Sequence, residues 1–461
     1  MIRIDPELEP EHLRPKLDRF WALSGQKLDL IEHEYDSEKG APVFTAAGRY
    51  TSRGWTEWTQ GFQYGSALLQ FDATSEQRFL EIGRRHVVNE MAPHLSHTGV
   101  HDHGFNNVST YGNLLRLMAE GRIPEHTWER RFYELALKVS GAVQASRWTA
   151  IEGGGFIYSF NGPHSLFVDT IRSCRVLMLA HLLGHTLMGE GDRRINLAQR
   201  ALSHLCTTAR YSVYYGERRD AYDTRGRTAH ESIFNTNDGS YRCPSSQQGY
   251  SPFSTWVRGL AWAMCGFSEE LEVLRVLPDA DLDLEGGRTR LTQTLLRAAR
   301  ATCDFYIENT PTCGVPYWDT GAPQLHELER YLDRPADPLN PHEPVDSSAA
   351  AIAAQGLLRL GSYLGNEREG RRYHQAGVRV LDTLLGEAYL SVDPCHHGLL
   401  LHSVYHRPNG WDYSPPGAKV PRGESSMWGD YHLREAALCL QRRLDGRGSY
   451  NFFSGIGGAL P

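Results

Sequence analysis

The chain has 461 residues, with 48 Lys and Arg against 55 Asp and Glu, which gives a net charge of −7. A mildly acidic chain without a concentrated basic surface is not expected to bind the phosphates of a nucleic acid. Apolar residues make up 40% of the sequence and charged residues 22%, a balance typical of soluble folded proteins, so we do not expect disorder. No apolar run is long enough to span a bilayer.

The eight cysteines are scattered, and none forms a Cys-x-x-Cys pair. This pattern is typical of reduced thiols rather than of a disulfide framework or a zinc ribbon. The first residues, MIRIDPELEPEHLRPK, lack the apolar segment of a signal peptide. We therefore predict a cytoplasmic protein that does not depend on disulfides.

Helical periodicity recurs along the chain. In the stretch after Asp346, apolar residues follow one another in steps of three and four, which places them on one helix face. Twelve helices are predicted, at residues 7–24, 56–74, 76–92, 105–120, 125–146, 166–185, 191–211, 253–272, 288–308, 346–364, 367–386 and 424–443.

Every second helix opens with small or aromatic residues, as inner helices that approach one another closely would require. We therefore predict an all-α fold in which six inner and six outer helices form an (α/α)6 barrel, with residues 1–461 as a single catalytic domain. The alternative, a helical repeat array, is disfavoured by the uneven spacing of the segments.

Five connections are too long for simple turns. Two runs within them, Phe156–Phe160 and Leu399–Tyr405, read as strands that lead into turns. Short β-hairpins are therefore predicted at one rim of the barrel, where they would shape a pocket. The long loops are predicted at 25–55, 147–165, 212–252, 309–345 and 387–423.

No nucleotide-binding, serine-hydrolase or metalloprotease motif is present. The stretch HLSHTGVHDHGF contains four histidines around Asp102, and four imidazoles raise the question of a metal. Glycines interrupt the run and no cysteine lies near it, so it lacks the ligand set of a zinc site. We favour histidines that orient a nearby acid, and predict neither metal nor organic cofactor.

Two aspartates are candidates for acid–base chemistry. Asp102 stands just before a predicted helix, and Asp169 stands at a helix start between apolar residues. An apolar setting would raise the pKa of Asp169 and suit a general acid. The alternative for both is a helix cap or a buried, hydrogen-bonded aspartate.

A third group of candidates lies in QQGYSPFSTWVRGLAW and the loop before it, with Trp256, Arg258 and Trp262 near one helix start and with His230 and Gln248 preceding them. Tryptophan faces stack on sugar rings, and an arginine can bind a carboxylate in a fork. Helix packing is the alternative role of the tryptophans. With the two carboxylates, this group predicts a saccharide site, and helix N-termini at the barrel mouth favour an anionic ligand.

The motifs WTQGF, HDHGF, FVDT, STWVRGLAW, GVPYWD, DSSAAAIAA and MWGDYHL occur in one order from about residue 55 to 440. In this order the chain resembles glycoside hydrolase family 88, the unsaturated glucuronyl hydrolases, which are (α/α)6 barrels. Family 105, the unsaturated rhamnogalacturonyl hydrolases, has a similar fold and chemistry and is the alternative family.

The resemblance implies an enzyme that hydrates the C4=C5 vinyl ether of the unsaturated uronic acid left at the non-reducing end by a polysaccharide lyase. It implies that Asp169 protonates C4 and activates water, that Asp102 orients the ring hydroxyls and tunes Asp169, and that the substrate site is lined by His230, Gln248, Trp256, Arg258 and Trp262. The sequence departs from the family pattern in places, and among these departures Ser173 and Arg175 replace the usual Asn and Pro.

The sequence leaves two alternative functions open. The first is an exo-acting glycosidase on saturated glucuronides that uses Asp102 and Asp169 as its carboxylate pair. The second is a non-catalytic saccharide-binding protein on the same barrel, because a fold does not fix a function. The expected ligand in the preferred reading is an oligosaccharide with an unsaturated uronic acid at its end, with no nucleic-acid or membrane partner, and the chain is expected to be a monomer or a homodimer.

Overall fold

The computed structural model describes residues 1–54, 57–282, 286–365, 367–454 and 456. Its helices alternate between an inner and an outer position around one axis. The inner positions are held by α2 (Gln60–Thr74), α5 (His103–Asn107) with a π-helical turn (Val108–Gly112) and α6 (Asn113–Ala119), α8 (Thr170–Ser173) with α9 (Arg175–Leu182), α11 (Val257–Leu274), α13 (Ser347–Leu364) and α15 (Met427–Leu444). The outer positions are held by α1 (Arg14–Glu34), α3 (Gln77–Glu90), α7 (Thr127–Ser146), α10 (Leu197–Tyr211), α12 (Gly287–Asn309) and α14 (Arg368–Leu384), and α4 (Ala92–Leu95) is a single turn.

Contacts between neighbouring inner helices close the ring. They run from α2 through α5, α8, α11 and α13 to α15, and α15 contacts α2 again. Each outer helix packs on its inner neighbours, which confirms the predicted (α/α)6 barrel. Because successive helices reverse direction, all six inner helices begin at the same end of the barrel. The connections that lead into them therefore form one rim.

The largest differences between the predicted and the observed helix boundaries occur at three places. The first helix, predicted at 7–24, begins at Arg14 and continues to Glu34, because Leu28 and Ile31 extend its buried face into the predicted loop. The segment 166–185 is divided, with a strand before α8, and the helix predicted from 191 begins at Leu197, where Asn196 caps it. Thr56, the first residue of the predicted 56–74 segment, lies outside the described residues.

Short strands form four small antiparallel sheets. They are β1 (Phe44–Ala46) with β2 (Arg49–Thr51), β3 (Trp148–Ile151) with β4 (Gly154–Ile157), β6 (Leu187–Met188) with β7 (Arg194–Ile195), and β5 (Ser165–Phe167), β8 (Glu231–Phe234) and β9 (Tyr241–Ser245) in the order β5-β8-β9. Three of these sheets lie in connections that lead into inner helices, and β6 and β7 connect α9 to the outer helix α10. The strand predicted at 156–160 corresponds to β4.

The strand predicted at 399–405 is wrong. The structure describes only one isolated bridge there, between Leu390 and Leu400. The carboxylate of Asp430, at the start of α15, accepts the backbone N–H groups of Leu399 and Leu400 at 2.9 and 2.7 Å. These donors are therefore satisfied by a side chain instead of a neighbouring strand.

Glycines allow the inner helices to approach one another. A Cβ added to Gly61 of α2 would lie 2.3 Å from the carbonyl oxygen of Asn106 of α5. A Cβ added to Gly104 of α5 would lie 2.2 Å from the carbonyl oxygen of Ser173 of α8. Both distances are far below van der Waals contact, so the residues of the inner helices at these two positions must be glycines.

A buried network of charges joins the inner helices below the rim. Arg172 of α8 lies 3.1 Å from Glu269 of α11 and 2.8 Å from Glu435 of α15, and Arg175 of α9 lies 3.3 Å from Glu269. Each of these side chains is at most 1% exposed. Burial favours the neutral form of Glu435, but Arg172 and the cations beside it lower the pKa of that carboxyl well below its usual range. Removing one partner would leave a buried charge unpaired, which is costly.

Within the described part of the chain, we find no helix that combines the length and the apolar character needed to cross a membrane.

We predict that Gly61→Ala lowers the free energy of unfolding by about 1–3 kcal/mol, because the added methyl group overpacks the α2–α5 contact. The matched control is Gly448→Ala, where an added Cβ meets no atom within 4 Å. Chemical denaturation of both variants measures the difference. Equal stability of the two variants would contradict the close packing of the inner ring.

Candidate active site

Two aspartates from different inner helices lie against one histidine at the rim. The Nε2 atom of His101 is 3.4 Å from Oδ1 of Asp169 and 3.9 Å from Oδ1 of Asp102. The exposed fraction is 2% for His101, 7% for Asp102 and 8% for Asp169. The structure therefore brings together the two carboxylates predicted from the sequence and places an imidazole beside both.

The two aspartates stand at the first positions of α5 and α8, but neither side chain caps its helix. The alternative in which these residues are simple helix caps is therefore not supported. The two helix starts are held together by Ser173, whose hydroxyl accepts the N–H of Gly104 at 2.9 Å and donates to the carbonyl of His101 at 2.7 Å. Ser173, a departure from the family pattern, thus fixes the position of the His101–Asp102 segment.

The charges of the three groups are coupled. Burial raises the pKa of Asp102, and the negative charge of Asp169 adds to this effect. Burial also works to raise the pKa of Asp169, but the hydrogen bonding and charge of His101 outweigh it and the pKa is lowered. The expectation of a raised pKa for Asp169 is therefore wrong, because its neighbour is a cationic imidazole rather than apolar side chains alone.

The pKa of His101 is raised. Burial opposes the charged form, but Asp102 and Asp169 together outweigh it. The two carboxylates thus favour the imidazolium form of the ring. The three groups titrate as one unit, in which a proton can reside on the ring or on either carboxylate.

His230 lies behind Asp169 as a neutral ring. Burial lowers its pKa to about 4, and Nδ1 accepts the backbone N–H groups of Gln247 and Gln248 at 3.0 and 3.3 Å. Since Nδ1 is an acceptor, the proton of the neutral ring is on Nε2. The ring is fixed by the pairing of β5 with β8 and by Trp256, whose ring centroid is 4.6 Å away.

Arg258 is buried between two tryptophans, with Cζ 4.7 Å from the ring of Trp256 and 4.8 Å from that of Trp428. Its Nη1 donates to Asp346 at 3.2 Å and to the carbonyl of Val404. Its Nη2 donates to Oε1 of Gln248 at 2.8 Å and to the carbonyl of Tyr405 at 2.7 Å. All four Nη hydrogens have partners within the protein, so the expected fork on a ligand carboxylate is not available in this geometry.

The side chains of the remaining candidates differ in how deeply they are buried. Gln248 is half-buried and turned towards Arg258, whereas Trp256 and Trp262 are only 3% and 2% exposed. The ring of Trp262 packs at 4.8 Å against both Phe105 and His432, beneath the carboxylates. Trp262 thus also fills the packing role that the sequence left open.

Several buried polar atoms around Asp169 make no well-directed hydrogen bond within the described residues. They are Oδ1 of Asp169, both ring nitrogens of His101, Oγ1 of Thr170 and Nε2 of His230. Buried polar groups are usually paired, so a cluster of such atoms marks a place where a polar ligand can bind.

Two other histidines of the HLSHTGVHDHGF stretch, His94 and His103, have structural partners. His103 contacts the hydroxyl of Ser140 at 3.0 Å and the carbonyl of His97 at 2.9 Å, and His94 accepts from Asn106 at 3.1 Å. In the portion of the chain that the structure describes, no three His, Cys, Asp or Glu side chains converge as a metal site would require.

Two contributors to the site were not identified from the sequence. Arg147, just after α7, donates to the carbonyls of Tyr158 and Ser159 at 3.2 and 2.8 Å, and its charge also reaches Asp102. Phe160 is 46% exposed and stacks on His101 with ring centroids 6.0 Å apart. Both lie in or beside the long 147–165 loop, and that predicted loop was the only signal that pointed to them.

No protein-family model matches the chain. Among curated proteins, the unsaturated glucuronyl hydrolase of Bacillus sp. (strain GL1) is 26% identical over 412 residues, which cover 88% of this chain and 91% of that protein. The unsaturated chondroitin disaccharide hydrolase of Streptococcus pyogenes serotype M1 is 24% identical and covers 95% and 96% of the two chains. Among solved structures, an unsaturated glucuronyl hydrolase specific for heparin superposes with a TM-score of 0.71 at 18% identity over 94% of this chain and 98% of that one, which shows a shared fold.

We predict that Ser173→Ala lowers the free energy of unfolding by about 1–3 kcal/mol, because the N–H of Gly104 and the carbonyl of His101 lose a buried partner. Ser146→Ala, on the exposed end of α7, is the matched control and is expected to change stability by about 0.5 kcal/mol or less. Denaturant titration of both variants measures these values. A Ser173→Ala variant as stable as the control would show that Ser173 does not hold the two helix starts together.

Proposed function

The chain belongs to the unsaturated glucuronyl hydrolases, glycoside hydrolase family 88, and we propose that it removes the 4,5-unsaturated uronic acid from the non-reducing end of polysaccharide-lyase products. The observation that carries the proposal is the pair of buried aspartates on one imidazole. Neither aspartate is used as a helix cap, and several buried polar atoms around Asp169 make no well-directed hydrogen bond within the described residues. The names of the relatives support the substrate class.

The proposed reaction is hydration of the C4=C5 vinyl ether. Asp169 gives a proton to C4, and positive charge then develops on C5 and the ring oxygen. The ionised carboxylate that remains stabilises this charge in a site with little water. Water adds to C5 as Asp169 takes a proton from it, the resulting hemiketal opens, and the rest of the sugar chain is released.

His101 supplies the proton that this sequence needs. With its lowered pKa, Asp169 is ionised at rest and cannot act as an acid alone. The imidazolium of His101 lies 3.4 Å away and is able to pass a proton to Asp169 when the anionic substrate arrives. Oδ1 of Asp102 lies 3.9 Å from the same nitrogen of His101, and its negative charge keeps the imidazole charged between reactions.

The other residues hold the uronate ring. His230 presents Nε2–H beside Asp169, and Gln248 presents its amide from the loop before α11. Arg258 contributes positive charge and fixes Gln248 and the 404–405 segment, and the N-terminus of α11 adds a partial positive charge. Trp256 and Trp262 are only 3% and 2% exposed, so they support the site by packing, Trp256 against His230 and Trp262 against Phe105.

We further propose that residues 1–461 act as one catalytic unit in the cytoplasm. All eight cysteines are free thiols in the structure, which supports a reducing compartment.

The first experiment follows the ultraviolet absorbance of the conjugated C=C–carboxylate during incubation with unsaturated disaccharides. We expect the band to disappear with at least one disaccharide, while saturated glucuronides are not cleaved. Asp169→Asn should abolish the loss with the fold intact, and Asp445→Asn, at the far end of α15, is the control. Near-normal turnover by Asp169→Asn, or cleavage of saturated glucuronides at a similar rate, would contradict the proposal.

A second experiment tests the proton supply. We expect His101→Gln to lower kcat by about 10²–10⁴-fold and to move the alkaline limb of its pH profile to lower pH, because the proton must then be held by a carboxyl group, whose ordinary pKa is well below that of an imidazole. His103→Gln is the control, since the hydrogen-bond partners of its ring within the described residues are Ser140 and the His97 backbone. An unchanged alkaline limb in His101→Gln would show that His101 does not supply the proton, even if kcat fell.

A further inference from the structure

A buried carboxylate near the site takes no part in the proposed reaction. Asp319, in the connection that leads into α13, is 0% exposed. Its Oδ2 accepts the N–H of Tyr250 at 2.9 Å, and its Oδ1 accepts the N–H of Gly321 at 2.8 Å. Among the described residues it has no ion pair, and the hydroxyl of Ser254 and the two N–H groups take the place of a cation. Burying a charge without a cation is costly, so the position of Asp319 calls for a role beyond packing.

The carboxylate lies against the turn at residues 246–250, which we call the Gln248 turn. A Cβ added to Gly249 would lie 2.9 Å from Oδ2 of Asp319, closer than side-chain atoms normally approach, so the backbone of the turn contacts the carboxylate. Before α11 begins, Trp256 and Asp319 form an antiparallel bridge. Asp319 therefore fixes the position of the Gln248 turn relative to the start of α11.

The Gln248 turn carries two groups of the candidate site. The backbone N–H groups of Gln247 and Gln248 donate to Nδ1 of His230 at 3.0 and 3.3 Å, which leaves the proton of the neutral ring on Nε2. The side chain of Gln248 projects from the same turn. Because Asp319 binds the N–H of Tyr250 in this turn, it acts on both groups through the backbone.

We propose that Asp319 is a positioning residue for substrate binding, whose ionised carboxylate holds the Gln248 turn and thereby orients His230 and Gln248 towards the uronate. This inference rests on the proposed function. An ionised carboxylate accepts a hydrogen bond on each oxygen, so it satisfies the N–H groups of Tyr250 and Gly321 together. A neutral carboxyl group carries a proton on one oxygen, and one of the two N–H groups then loses its acceptor.

The contact is therefore sensitive to pH. Burial raises the pKa of Asp319 to about 6, although the hydroxyl of Ser254 and the two N–H groups favour the ionised form. The negative charge of Glu343, which faces Asp319 and accepts the N–H of Gln324 at 2.8 Å, adds to the effect of burial. Asp319 is thus ionised at neutral pH and takes up a proton as the pH falls through about 6.

Steady-state kinetics on the unsaturated disaccharides, followed by loss of the ultraviolet band, test the proposal. Asp319→Asn keeps the size of the side chain but accepts on one oxygen only, so we expect KM to rise about tenfold or more at neutral pH with kcat within about threefold of wild type. Gly249→Ala pushes the turn away from an intact carboxylate and should raise KM in the same way. Asp223→Asn is the control, because Asp223 also accepts backbone N–H groups in the same long connection but not in the Gln248 turn. Circular dichroism checks that each variant is folded.

The pH dependence of KM separates a positioning role from a purely structural one. In the wild-type enzyme KM should rise as the pH falls through about 6, and this rise should be missing in Asp319→Asn, because an amide does not titrate. The other titrating groups of the site are present in both proteins, so the difference between the two profiles belongs to Asp319.

Three results would overturn the proposal. They are a wild-type KM in Asp319→Asn, an acid rise of KM that this variant retains, and a fall of kcat with KM unchanged. If Asp319→Asn did not fold, a wild-type KM in Gly249→Ala would overturn it alone. Absence of turnover by the wild-type chain would refute the proposed function and this inference with it, whereas wild-type turnover with unchanged KM in the variants would refute this inference only.

Discussion

The contact between the starts of α5 and α8 determines the geometry of the site. Gly104 lies so close to Ser173 that no other side chain fits there, and the hydroxyl of Ser173 holds the backbone on both sides of Asp102. This contact brings Asp102 and Asp169, from two different inner helices, within 4 Å of one imidazole nitrogen. Without it the barrel could still close, but the two carboxylates would not share a histidine.

The buried charges near the rim are supported by the charges beneath them. Arg172 lies one turn after Asp169 on α8 and is paired with glutamates of α11 and α15. These pairs satisfy the charges of the inner helices inside the barrel, where desolvation would otherwise oppose burial. At the mouth of the same barrel, buried polar atoms of Asp169, His101 and His230 make no well-directed hydrogen bond within the described residues. The network of ion pairs thus forms the base beneath a group of residues that can take up a polar ligand.

Much of the architecture could be predicted because it depends on local periodicity. The twelve helices follow from apolar spacing, and Asp102, Asp169, His230, Gln248, Trp256 and Arg258 do come together at one rim. The predictions that failed concern contacts between residues that are distant in the sequence. The strand expected at 399–405 is absent because Asp430 accepts two of its N–H groups, and the lowered pKa of Asp169 depends on His101, which lies in the segment before α5. The four internal partners of Arg258 likewise come from three separate loops or helix starts.

In the proposed reaction a proton is delivered to C4 and water is added to C5. The decisive measurement is the reaction of an unsaturated disaccharide in D₂O, with the product examined by NMR at early times, before exchange next to the new ketone. Protonation of C4 by the enzyme predicts one deuterium at C4, added from a single face of the ring. Release of the leaving sugar without deuterium at C4 at those times would place the chemistry at the anomeric carbon and contradict the hydration mechanism.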